Sequence, residues 1–230
     1  MIQNAINYSL STDVIVIPGV ELTAEYSNGE CHILGYGISL KKIELFSKKI
    51  RKNRIEKSKK MIEMLISDGY KITYDEVLEN SINGVIGRRD IARLLHKKGY
   101  FKNEDDAIKK LFSPNKKYYI KTKKNKIEDC ISVIKKSNGI TVLAHPWTLN
   151  LSMEDLKKFL IKYKFDGIEV YNHKIEAQLY EQLNLLASDL NLYKTCGTDY
   201  HGHKGLNDFN VDREVDSTKI LQRLYGDKYE

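Results

Sequence analysis

The sequence predicts an α/β fold interrupted by a helical insertion. Three observations lead there. Helical and extended segments alternate from Ile127 to Gly197, residues 41–122 show only helical periodicity, and several apolar runs stop at a single ligand-type side chain. Alternation of this kind builds parallel strands, in a barrel or an open sheet, and the strand ends of such folds carry chemistry. Residues 1–40 and 123–230 are assigned to the α/β core and residues 41–122 to the insertion.

Asp13 to Ile17 reads as a buried strand and Cys31 to Ile38 as a second, joined through the Asn28-Gly29 turn signal, so the two should pair or neighbour. From Lys41 to about Asp68 the period is helical, with Ile43, Phe46 and Ile50 on one face and Met61, Met64 and Leu65 further on. This fits two helices or one bent helix ending at Gly69. Thr73 to Glu76 has the form of a capping box, Arg88 to Lys98 is a helix stopped by Gly99, and Asn103 caps another through Phe112. Helices are then expected at Ile127–Lys136, Ser152–Tyr163 and Ile175–Leu190. Strands are expected at Ile140–Ala144, Gly167–Tyr171 and Asn191–Gly197.

With 230 residues, 41% of them hydrophobic, the chain can bury a full core. It has no run of eighteen apolar residues, and its first five residues lack the character of a leader. A cytoplasmic chain without membrane attachment is the expectation. Cys31, Cys130 and Cys196 form no CxxC pair and should be reduced and mostly buried. Basic residues exceed acidic ones by 38 to 31, a net +7 that favours an anionic partner.

The candidate chemistry sits at the segment ends. Pro18-Gly19-Val20-Glu21, Cys31-His32, Leu143-Ala144-His145-Pro146 and Thr198-Asp199-Tyr200-His201 supply carboxylates and imidazoles. Asp199 and His201, two apart, would project to one side of an extended chain. Such mixed ligands suit Zn, Mn or Fe, which make hydroxide from bound water at neutral pH, so hydrolysis is the natural reaction. His96, His173 and His203 are weaker candidates, a helix-surface position and two loop positions. GxSxG, P-loop and GxGxxG motifs are all missing, which sets aside serine hydrolases and the common nucleotide folds.

Taken in series, these segments, with Gly87-Arg88-Arg89-Asp90-Ile91-Ala92 and Gly167-Ile168-Glu169-Val170-Tyr171, resemble the polymerase and histidinol phosphatase (PHP) superfamily of metal-dependent phosphoesterases. The resemblance covers nearly the whole chain. It implies a distorted (β/α)7 barrel, N-terminally incomplete here, with metals at the strand C-termini. It also implies hydrolysis of phosphate esters of nucleotides or short oligonucleotides. Carried over, Glu21, His32, His145, Asp199 and His201 would be metal ligands, Glu21, His145 and Asp199 catalytic, and Arg88 a phosphate contact, with Arg51 and Arg54 able to share a phosphate-facing side of their helix. Asp90 stands where the family usually has histidine.

The family's leading His-x-His and Asp-His strands have no counterpart before Pro18. A site short of these ligands should bind metal weakly and turn over poorly, and exposed barrel edges would favour self-association. Two alternatives accompany this reading. One is a non-catalytic binding or regulatory protein holding nucleotide or nucleic acid through Lys116, Lys117, Lys121, Lys123, Lys124 and Lys126. The other is a half-protein completed by a second chain.

Overall fold

The computed structural model describes residues 2–27, 29–81, 84–120, 125–172, 175–199 and 215–226. It divides into two compact units, Met1–Ile43 with Lys124–Glu230, and Glu44–Lys123.

The first unit is built on a five-stranded mixed sheet: β1 (Gly19–Tyr26), β2 (Gly29–Tyr36), β3 (Ile140–Leu143), β4 (Gly167–Tyr171) and β5 (Tyr193–Cys196), side by side in that order. β1 and β2 form an antiparallel hairpin, β2 and β3 are antiparallel, and β3, β4 and β5 are parallel. The parallel half follows the predicted helix–strand alternation, with the helices at Met153–Tyr163 and Ala177–Asp189 linking β3 to β4 and β4 to β5. The antiparallel hairpin departs from an all-parallel barrel.

Alternation in the hairpin is strict. Leu22, Ala24, Cys31 and Ile33 are buried on one face, where the helix Ile127–Lys136 lies across them through Ile127, Cys130, Ile131 and Ile134. The approach is close enough that a Cβ at Gly35 would stand 2.9 Å from the Ile134 side chain, so glycine is required there. The opposite face carries Glu21, Thr23 and His32. A second apolar cluster joins Ile140 and Val142 of β3 to Ile220, on the C-terminal helix Ser217–Tyr225. Cys31 and Cys130 are buried free thiols that burial pushes up to about 12, and Cys196 is half-buried and free.

One strand expected from the sequence does not form. Residues 14–18 have no regular structure, and Val14 and Ile15 are 64% and 46% exposed. The β-branched run leads into Pro18, which has no N–H for a ladder; the strand begins one residue later, and the Pro18 carbonyl accepts from the Gly37 and Ile38 amides. Helix α1 (Ile2–Ser9) and the helix Ser217–Tyr225 lie outside the elements that the sequence predicts. The Asn28 half of the expected hairpin turn lies outside the described residues.

The second unit is helical. The long helix α2 (Leu40–Ser67) is continuous through 28 residues and contributes Met61, Ile62 and Leu65 to a core shared with Val77, Ile91, Leu95 and Phe112. Thr73 and Glu76 cap the short helix Tyr74–Glu79 reciprocally, as their spacing predicted. The helix Arg88–Lys97 and the turns from Glu104 to Phe112 complete it, the last five residues as a π-turn. Among the described residues no helix is long and apolar enough to cross a membrane.

Candidate metal centre

Three of the five expected ligands meet. Glu21 and His32 come together because their strands are antiparallel neighbours: Thr23 pairs with His32, which puts Glu21 on the diagonal and on the same face. His145 arrives just past the end of β3, where the Ala144 amide still donates to the His32 carbonyl at 3.1 Å. Glu21 Oε1 and His32 Nδ1 are 2.9 Å apart, His32 Nδ1 and His145 Nε2 3.1 Å, and His145 Nε2 and Glu21 Oε1 3.5 Å. Donors on a tetrahedral cation with bonds of about 2.1 Å sit roughly 3.4 Å from each other, so this triangle matches one face of such a site. Among the described residues it is the one group of three metal-type donors that converges in this way.

The surroundings prepare these atoms for a cation. The Thr148 hydroxyl donates to the His145 carbonyl at 2.9 Å, so at 3.1 Å its oxygen can only accept from His145 Nδ1–H. That fixes the tautomer in which Nε2 offers its lone pair to the cluster. The imidazoles of His145 and His32 beside it hold the Glu21 carboxyl well below the usual carboxylate range, and the contact with Glu21 raises His32 above the ordinary histidine value.

His145 has φ 28° and ψ 62°, an unusual conformation for a histidine before proline. Its amide donates to Glu169 Oε2 at 2.6 Å. Glu169, in the middle of β4, is only 3% exposed. Burial pushes its carboxyl up, helped by the charges of Asp199 and Glu21 and opposed by the His145 amide. Gly197 makes room for it, since a Cβ there would stand 2.6 Å from Glu169 Oε1. Glu169 lies within the Gly167–Tyr171 segment, whose pattern assigns no role to the residue. The available signal was a lone acid inside a five-residue parallel strand, a place where carboxylates are rare without a partner.

A cavity of about 500 Å³ opens over the triad, lined by Glu21, Thr23, His32, His145, Trp147, Thr148, Asn172 and Asp199. Asp199 therefore borders the site, exposed and at φ 53°, without joining the triangle of donors. His201 lies outside the described residues, as do His173 and His203. Arg88 is in the other unit, exposed, with Nη1 donating to the Phe112 carbonyl at 3.3 Å. Asp90 accepts from the Gly87 amide at 2.8 Å and pairs with Arg93 at 3.0 Å, which makes it a helix-start residue. His96, on the helix surface, has Nδ1 at 2.9 Å from the Phe101 carbonyl.

No family model matches the chain. It is 28% identical over 191 residues to the 5'-3' exoribonuclease Rnm of Salmonella typhimurium, covering 81% of this chain and 65% of that protein. Over 189 residues it is 26% identical to the 3',5'-nucleoside bisphosphate phosphatase of Chromobacterium violaceum, covering 80% and 66%. The chain thus spans about two thirds or slightly less of the length of these curated relatives. Among solved structures, a protein of Bifidobacterium adolescentis assigned as a metal-dependent phosphoesterase superposes with a TM-score of 0.74 at 28% identity, covering 96% of this chain and 81% of that one. An amidohydrolase from Chromobacterium violaceum, solved with sulfate and no metal, shares the fold at a TM-score of 0.69 and 24% identity, covering 86% and 72%. In sequence and in its mixed α/β fold the chain is therefore similar to metal-dependent phosphoesterases.

Proposed function

We propose that the chain is a PHP-type phosphoesterase that hydrolyses phosphate esters of nucleotides or short RNA strands, using a divalent cation held by Glu21 Oε1, His32 Nδ1 and His145 Nε2. The triangle of donors at the mouth of the cavity carries this reading. One carboxylate with two imidazoles suits Zn, Mn or Fe. The printed activities of the relatives, an exoribonuclease and a nucleoside bisphosphate phosphatase, supply the substrate class. When bound, the metal lowers the pKa of a water and polarises a phosphoryl oxygen.

The chain's own groups have distinct parts in the proposal. Glu21 balances the cation's charge and, with His145, stands beside the reacting phosphate. Thr148 keeps His145 in its metal-binding tautomer, and Glu169 holds the His145 backbone. Asp199, on the cavity wall, extends the ligand set and takes part in catalysis. Arg88, exposed on the helical unit, is the guanidinium proposed as a phosphate contact. Among the described residues three donors converge, the set for one cation, and slow turnover is part of the proposal.

The test is hydrolysis of a nucleoside 3',5'-bisphosphate and of a short RNA with added manganese or zinc, alongside calorimetric titration of the metal. Turnover should vanish on chelation and fall at least about 100-fold in His32→Ala and His145→Ala, with metal affinity falling in parallel. Metal-independent turnover, or full activity in both variants, would refute the assignment.

A further inference from the structure

The positive surplus of the chain resides in thirteen consecutive residues. Lys48 to Lys60 contains eight lysines and arginines and one acid, Glu56, and the remainder of the sequence has thirty basic and thirty acidic residues. This stretch is three turns of α2, roughly 18 Å long. Seven of its eight cationic residues are exposed, and Lys57 is half-buried. Lys48 pairs with Glu44 at 2.7 Å, Lys52 stands 3.9 Å from Glu56, and Lys59 lies over the Tyr74 ring. Lys49, Arg51, Arg54 and Lys60 have no acidic partner among the described residues.

Such crowding works against the helix. Lys48 and Lys52, Arg51 and Arg54, and Lys57 and Lys60 are like charges three or four residues apart, each pair repelling across one turn. Within the stretch its single acid, Glu56, offsets little of it. A polyanion laid along the segment would remove the repulsion and release its own counterions.

We propose that Lys48–Lys60 is a docking surface for the phosphate backbone of a single-stranded RNA. The choice of RNA rests on the phosphoesterase reading above; the charge argument does not. An anionic bilayer fits less well. A membrane-surface helix presents a broad apolar face to lipid, and the apolar residues of this stretch, Ile50 and Ile55, are both half-buried.

The experiment is fluorescence anisotropy of a labelled single-stranded oligoadenylate with metal chelated, so that binding is read without hydrolysis, across a series of salt concentrations. The quadruple variant K49Q/R51Q/R54Q/K60Q should bind at least about tenfold more weakly at low salt, and the slope of log K against log salt should fall by roughly 0.7 per lost contact. K49R/K60R, which keeps the charge, should match the parent, and circular dichroism should show the glutamine variant still helical. A parental slope in the glutamine variant overturns the proposal. So does tighter binding of the parent to phosphatidylserine vesicles than to RNA. Hydrolysis with an unaltered slope would sink the docking surface alone, whereas charge-dependent RNA binding without metal-dependent hydrolysis would sink the catalytic reading and leave the surface standing.

Discussion

His145 adopts a backbone conformation that costs a non-glycine residue on the order of 1–3 kcal/mol, and it does so at the point where its ring must turn toward Glu21 and His32. Two contacts hold it there, the Glu169 carboxylate on its amide and Thr148 on its ring. Removing the first leaves a partly buried N–H without an acceptor. Glu169→Ala should therefore lower unfolding stability in urea by about 1–3 kcal/mol and weaken metal binding by roughly 10- to 100-fold. Glu169→Gln, which keeps an acceptor of the same size, should recover most of both. If alanine and glutamine behave alike, the amide contact is not what Glu169 provides. Gly197→Ala tests the same contact from the other side, since its methyl would collide with Glu169 Oε1, and it should reproduce the loss of metal affinity without touching a ligand.

At the scale of elements, the capping box that opens Tyr74–Glu79 joins a local motif to a pH response. Glu76 accepts from the Thr73 amide at 2.8 Å and pairs with Lys98 at 2.6 Å. The Lys98 contact chiefly, with the Thr73 amide, lowers its carboxyl below the ordinary value of 4.5. The folded-state pKa is depressed, so the contribution is complete above 4.5 and is lost as pH falls through the folded value. Urea midpoints of the parent should drop through that acid window more steeply than those of Glu76→Gln, and the gap should shrink with added salt because the pair is at the surface. Parallel pH profiles would remove Glu76 from the account. Thr73→Ala should cost about 1 kcal/mol at neutral pH by leaving the Glu76 amide uncapped.

Across the whole molecule, what could be read in advance was what depends on local spacing. The helix Ile127–Lys136 and the strand Gly167–Tyr171 lie where the periodicity put them, because caps and apolar spacing are properties of a few adjacent residues. Asp13–Ile17 misled because a β-branched run makes a strand only with a neighbour to pair with, and Pro18 moved that pairing onto the next eight residues. Glu21, His32 and His145 were individually visible as lone polar groups at the ends of apolar runs. Their convergence depends on hairpin register and on a turn at His145 that no single segment reveals. Because the three donors come from separate stretches of chain, a bound cation ties those stretches together only when the unit is folded. Metal should then raise stability by linkage, by about 2.7 kcal/mol at one hundred times its dissociation constant. Thermal unfolding with increasing zinc or manganese should show a midpoint that climbs with the logarithm of metal concentration in the parent. It should stay flat in His32→Ala, whose two remaining donors no longer close the triangle. A climb of equal size in that variant would mean that the cation binds elsewhere in the chain.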